Sequence, residues 1–197
     1  YYIGVRLINN IKKGENMNIT IKNIKHYESM SEETNCFEAT LYVDNKKVGS
    51  VANRGTGGCN EWRLDDYSLE RTLNDWCITN LPKWKMSDTF VDGENKEMDT
   101  DLDMHISNLL VNYLETKDLK KLLSKCVAVM TDECGKGEIY EWKFSGYKGM
   151  SKQDVINGVS DVMQKDAKDK WNKLNAVVLN SMPFDEAFKV YYRKEVA

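Results

Sequence analysis

The chain has 197 residues, 41% of them hydrophobic and 30% charged, with a formal net charge of −3. That length suits one domain, or a domain with a small appendage, and can bury a substantial core. With two prolines and twelve glycines, collagen-like, proline-rich and low-complexity classes are excluded, and the ordinary apolar fraction excludes wholesale disorder. No apolar run approaches the ~18 residues that a membrane span needs, so a soluble globular protein is expected.

Residues 1–16 read YYIGVRLINNIKKGEN and precede Met17. Lys12-Lys13-Gly14-Glu15-Asn16-Met17 back-translates to codons such as AAA-AAA-GGA-GAA-AAC-ATG, in which AAGGAG stands just before ATG in the manner of a bacterial ribosome-binding site. The expectation is a native start at Met17, residues 1–16 being a translated upstream leader, and a single α+β domain over 17–197. The competing reading is a strand-like extension, since Ile3, Val5 and Leu7 alternate. The segment lacks the continuous apolar stretch and small-residue cleavage site of a signal peptide.

After Met17, Asn18–Tyr27 reads as a strand. Cys36–Val43 places Phe37, Ala39, Leu41 and Val43 on one face and Glu38, Thr40 and Tyr42 on the other. Asp44-Asn45 offers a turn and Lys46–Ala52 returns, which defines a hairpin. The glycine-rich loop Asn53–Asn60 follows, then Glu61–Leu64 as a third strand of the meander. Asp65 or Asp66 caps a helix with the stripe Leu69, Leu73, Trp76 and Cys77, ended by Leu81-Pro82. A polar, acidic connector runs from Lys83 to Asp99. Thr100 and Asp103 then resemble a capping box before Leu102, Ile106, Leu109, Leu110 and Tyr113, the strongest amphipathic helix in the chain.

Asp118–Lys125 reads as a further short helix. Cys126–Thr131 and Glu138–Phe144 read as strands, and Ser151 with Asp154 caps a helix carrying Val155, Val159 and Val162. Ala176–Leu179 is a candidate last strand, and Ser181 and Pro183 open a final helix with Ala187, Phe188 and Tyr191. Hairpins with interspersed helices, rather than βαβ units, predict an α+β fold. Its sheet is mostly antiparallel, built from hairpins, with several packed amphipathic helices.

Five cysteines, at 36, 59, 77, 126 and 134, form an odd set without C-x-x-C spacing. Reduced thiols in an intracellular protein are expected, with no metal site and no cofactor.

Four features invite a functional reading. In Asn53-Arg54-Gly55-Thr56-Gly57-Gly58-Cys59-Asn60, glycine amides and Arg54 could cradle a phosphate. The loop is neither G-x-G-x-x-G nor G-x-x-x-x-G-K-[ST], however, and a loop that shapes the end of the hairpin is the plainer reading. His26 and His105 are the two candidate neutral-pH bases, and neither lies in a recognisable catalytic motif, so no enzyme is expected. The stretch Asp88–Asp103 includes Asp92, Glu94, Asp99 and Asp101 and carries a local charge of −6. It suits electrostatic docking of a basic partner, or is simply an acidic helix start and a solvated loop. Calcium is disfavoured, since the loop glycine and the final glutamate of a calcium hand are missing. At the opposite pole, Lys117, Lys120, Lys121 and Lys125, and Lys165, Lys168, Lys170 and Lys173 beside Trp171, suit a nucleic-acid backbone. Interleaved Asp118, Asp166 and Asp169 make helix-surface ion pairing the alternative.

The segment Phe37-Glu-Ala-Thr-Leu-Tyr-Val-Asp-Asn-Lys-Lys-Val-Gly49, followed by Asn53-x-Gly55-x-Gly57-Gly58-x-Asn60, resembles a family of small open reading frames of phages and bacterial mobile elements. These share F-x-A-x-L-x-x-D-x-x-x-V-G followed by N-x-G-x-G-G. Asp101-Leu102-Asp103 and Leu179–Phe188 extend the likeness loosely over most of residues 17–192. Among proteins of this appearance, the chain is similar to type II-A anti-CRISPR proteins. The resemblance implies a non-enzymatic counter-defence protein in the cytoplasm of a bacterial host. It would bind a CRISPR RNA-guided nuclease, with double-stranded DNA as a further contact, and no catalytic residue is carried over. The alternatives are a phage enzyme of nucleotide or nucleic-acid metabolism using the Gly55–Gly58 loop, and a phage structural or regulatory accessory protein.

Overall fold

The computed structural model describes residues 17–85, 97–165 and 174–192. Expected features at residues 1–16, and at Asp92, Glu94, Lys168 and Lys170, lie outside the described residues. The fold is α+β, with four α-helices and antiparallel sheets among the described residues. The chain divides into two compact units, with the division after Val111.

The first unit holds a four-stranded antiparallel meander. Its strands β1 (Ile19–His26), β2 (Phe37–Val43), β3 (Lys46–Asn53) and β4 (Glu61–Leu64) lie in chain order. Asp44 and Asn45 both adopt positive φ, 49° and 64°, which makes a two-residue turn whose twist matches the flanking strands. Val43 therefore pairs with Lys46. Period-2 alternation sends Phe37, Ala39, Leu41 and Val43 into the core and leaves Glu38, Thr40 and Tyr42 on the open face.

α1 (Ser68–Asn80) buries Leu69, Leu73 and Cys77, one turn apart each, while Trp76 is half-buried. A side-chain bond from Ser68, together with the bond its amide donates at 2.9 Å, holds the Asp66 carboxyl below the usual value. The ends of the acidic connector pair as β5 (Trp84–Lys85) and β6 (Glu97–Met98).

α2 is continuous over Leu102–Lys125, where the sequence pattern suggests a break before Asp118. No glycine or proline interrupts Leu102–Lys125, so the polar stretch around Lys117 has nothing to stop the helix. Its buried positions in the first unit are Leu102, Ile106 and Leu110, and Tyr113, expected on the same stripe, is exposed. The cap also differs from expectation. Asp101 accepts from the Met104 amide at 2.8 Å, whereas Thr100 donates to the Pro82 carbonyl at 2.6 Å. Asp103 is engaged elsewhere.

The second unit is built around β7 (Cys126–Met130), the middle strand of a three-stranded antiparallel sheet with β8 (Tyr140–Lys143) and β9 (Val177–Val178). All five residues of β7 are buried. Cys126, Ala128 and Met130 pack with Leu179 and Ala187, the latter from α4 (Phe184–Tyr192), while Val127 and Val129 pack on Val155, Val159 and Met163 of α3 (Lys152–Lys165). A strand covered on both faces reads as an unbroken apolar run, which is what Cys-Val-Ala-Val-Met is. Ser151 caps α3: its Oγ accepts from the Asp154 amide at 3.1 Å and donates to the Asp154 carboxylate at 2.7 Å.

β9 is two residues long, and a side chain takes over where it ends. Asn180 Oδ1 accepts from the Ala128 amide at 2.8 Å, and Nδ2 donates to the Leu123 and Cys126 carbonyls at 3.2 and 3.1 Å. One side chain thus serves three backbone groups. Asn180→Ala should destabilise the protein by about 3 kcal/mol, since several part-buried polar groups lose their partner together. Urea denaturation of the two proteins measures it, and a loss within about 0.5 kcal/mol, the range of an ordinary surface change, would remove Asn180 from this role.

Candidate functional site

The glycine-rich loop leaves β3 at Asn53 and enters β4 after Asn60, and both asparagines are buried. Asn53 uses its whole side-chain capacity. Oδ1 accepts from the Thr34 hydroxyl at 2.8 Å and the Gly55 amide at 2.9 Å; Nδ2 donates to the Gly58 carbonyl at 3.2 Å and Asn60 Oδ1 at 3.3 Å. Asn60 continues outward from that contact. Its backbone amide donates to Asp103 Oδ1 at 2.7 Å, and its Nδ2 to the Asp103 carbonyl and Ser107 Oγ, both at 3.3 Å. The loop is thereby tied to the first turns of α2.

The opposite side of the loop is held by backbone. The Gly55 carbonyl accepts from the amides of Glu32 and Glu33 at 2.9 Å and of Thr34 at 3.2 Å, and the Gly57 amide donates to Thr34 Oγ1 at 3.3 Å. Of the loop amides open to a phosphate cradle, those of Gly55, Gly57 and Asn60 are bonded within the chain. Arg54 is exposed and paired with Glu61 at 3.0 Å. This arrangement supports the plainer sequence reading: the loop shapes the end of the hairpin.

Charged residues of both expected poles are engaged locally. Asp99 pairs with Lys83 at 3.0 Å, which raises the Lys83 pKa through that bond, and Asp101 is the helix cap. Lys117, Lys120, Lys121 and Lys125 are exposed on α2. The Lys120 ammonium lies 5.1 Å from the Phe184 ring centroid, a cation–π distance.

The titratable candidates are structurally occupied. His26 Nε2 lies 3.2 Å from Asn35 Oδ1 and 3.4 Å from Ser31 Oγ. Ser31 also donates to the Tyr27 carbonyl at 3.0 Å and accepts from the Cys36 amide at 2.9 Å. Burial lowers the pKa of His105, against a backbone bond to Ile19 that acts the other way. Burial pushes Cys77 up to about 12, with the charge of Asp101 adding to it, and also raises Cys126; these thiols stay protonated and unreactive at neutral pH. Among the described residues no group of three or more His, Cys, Asp or Glu side chains is placed to hold a metal ion, and no helix is long and apolar enough to cross a membrane.

Comparison with protein-family models, curated proteins and solved structures finds no significant match. What sequence reasoning missed is the linkage of the loop to Asp103 and Ser107, 43 and 47 residues away from Asn60. The available signal was the asparagine on each side of a glycine run, a side chain that bonds readily to nearby backbone.

The loop predicts a graded glycine series. A Cβ on Gly55, at φ 85°, would strike the Met30 carbonyl oxygen and lie 2.8 Å from Cys36 Cβ, whereas one on Gly58, at φ 91°, would meet nothing within 4 Å. Gly58→Ala should therefore cost about 1 kcal/mol, the conformational penalty alone, and Gly55→Ala more than about 2 kcal/mol. Paired thermal or urea melts measure the difference; equal losses would show that packing around Gly55 is not what fixes the loop.

Proposed function

We propose that this protein is a counter-defence protein of phage type that binds and inhibits a type II CRISPR RNA-guided DNA nuclease without catalysing a reaction. The observation that supports it best is the bonding of the glycine loop. The N-x-G-x-G-G-x-N motif, which carries the resemblance, spends the Gly55, Gly57 and Asn60 amides on its own scaffold. A motif used in that way serves the fold, and under this proposal recognition belongs to side chains around it. The same bonding weighs against the alternative of an enzyme with a nucleotide in the Gly55–Gly58 loop. An accessory role in phage structure or regulation shares the binding character and differs in partner. The site of action under this proposal is the cytoplasm of the bacterial host.

Contact with double-stranded DNA is favoured by α2. Lys117, Lys121 and Lys125 recur every four residues, so they line one exposed helical face, with Lys120 beside them.

The test is cleavage of a target plasmid by the guide-loaded nuclease over a titration of the full chain. Dose-dependent protection is expected, and undiminished cleavage at saturating protein contradicts the proposal. For the DNA surface, Lys120→Gln with Lys121→Gln should flatten the salt dependence of DNA affinity by about 0.9 log units per log unit of salt for each phosphate that is no longer neutralised. An unchanged slope removes α2 from the DNA surface.

A further inference from the structure

The open face of the four-stranded sheet carries a trough that the loop and the lysine helix do not account for. Its volume is about 410 Å³, within the range of small-molecule sites. The strand register explains its shape. Lys22, Thr40, Ser50 and Arg63 are successive cross-strand partners from β1 to β4, and Lys25, Glu38, Ala52 and Glu61 form the next such row. Residues in register share a face, so the middle strands supply a floor of short side chains (Thr40, Ser50 and Ala52) between long charged ones on the outer strands. A concave sheet face results.

Its polar groups are unevenly satisfied. Glu61 is paired with Arg54 at 3.0 Å, and Glu38 accepts from the Tyr27 hydroxyl at 3.5 Å. Lys22 is engaged by Asn45 Oδ1 at 3.4 Å and by the Tyr42 ring. Thr40 Oγ1 accepts from Asn23 Nδ2 at 3.4 Å, which leaves its own proton to donate. Among the described residues Lys25 and Arg63 have no ion-pair partner, and no hydrogen bond is made by the Ser50 hydroxyl. Glu61 is thus charge-paired within the chain, and Glu38 keeps its charge opposite Lys25 in the register, while Arg63 and two hydroxyl donors face the trough unspent.

From this juxtaposition we propose that the trough binds the phosphate group of a small phosphorylated molecule. The phosphate oxygens are held by the Thr40 and Ser50 hydroxyls and by Arg63, with Lys25 as the second cation. Directly opposed residues on neighbouring strands have Cβ atoms about 5 Å apart, so both hydroxyls can reach oxygens of one tetrahedral group. The Arg63 guanidinium adds a charge-assisted, two-pronged contact. Glu38 and Glu61 flank these groups and interrupt the positive surface, which suits a compact anion and disfavours the continuous track of a polynucleotide. It uses none of the residues proposed to contact DNA, and it stands or falls independently of nuclease inhibition.

The test is titration of the full-length protein with inorganic phosphate and with a nucleoside monophosphate, read by amide NMR shifts and calorimetry at constant ionic strength. Chloride serves as the non-coordinating anion, a single-stranded oligonucleotide as the polymeric source, and a short acidic peptide as the carboxylate source. Saturable shifts centred on Thr40, Ser50 and Arg63 are expected for the two phosphate probes. Arg63→Gln should weaken binding about tenfold and Ser50→Ala about threefold, while Lys120→Gln leaves it unchanged. Arg63 and Ser50 are not in the core, and a thermal melt verifies that each variant folds; if Arg63→Gln does not fold, Lys25→Gln takes its place with the same expected direction. The proposal is overturned by absent or chloride-like shifts, by variants that bind as wild type does, or by an oligonucleotide or acidic peptide that shifts Thr40, Ser50 and Arg63 with higher affinity than the two phosphate probes do.

Discussion

The hydrogen-bonding demand of two buried asparagine side chains organises the first unit. A buried amide left unpaired costs on the order of 1–3 kcal/mol, so Asn53 and Asn60 can occupy the interior only with their partners in place. Those partners come from separate segments: Thr34 ahead of β2, Gly55 and Gly58 in the loop, and Asp103 with Ser107 on α2. Meeting the demand therefore fixes where the chain returns after β3 and where α2 begins. The positive φ at Gly55, Gly57 and Gly58 follows from it, because the loop must turn back on itself within a few residues to bring both asparagines together.

The second unit meets a related need with different means. β7 is buried on both faces, so its backbone must be paired along both edges. β8 supplies one edge, from Cys126 to Val129, and β9 supplies the other only at Val129 and Met130. Asn180 completes that second edge at Ala128 and Cys126. In both units, then, amide side chains do what additional strand would otherwise do, and these groups are consumed in holding the fold. Under the two proposals, recognition falls to the charged helix face of α2 and the open face of the meander.

Much of the architecture was legible because it rests on local pattern. The alternation in Phe37–Val43, the Asp44-Asn45 turn and the apolar run Cys126–Met130 each specify an element without help from distant residues, and each is present as expected. The cap of α2 was not legible from spacing. Thr100 and Asp103 have the spacing of a capping pair, yet tertiary partners, Pro82 and Asn60, claim them and Asp101 takes the cap. The loop itself shows the same limit: its composition announces special backbone geometry, but whether its amides face a ligand or the protein depends on Thr34 and on Asn53 and Asn60 folding inward. The trough was hidden for a related reason, since Thr40, Ser50 and Arg63 come together only through the register of three strands.

Native-state hydrogen exchange of the Gly55, Gly57 and Asn60 amides, with and without a saturating nucleoside monophosphate, tests this account most directly. If the asparagine network holds the loop, all three amides are protected in the free protein, and the nucleotide leaves their exchange unchanged. Rapid exchange in the free protein, with protection gained when the nucleotide is added, would contradict it and make the loop a phosphate site after all.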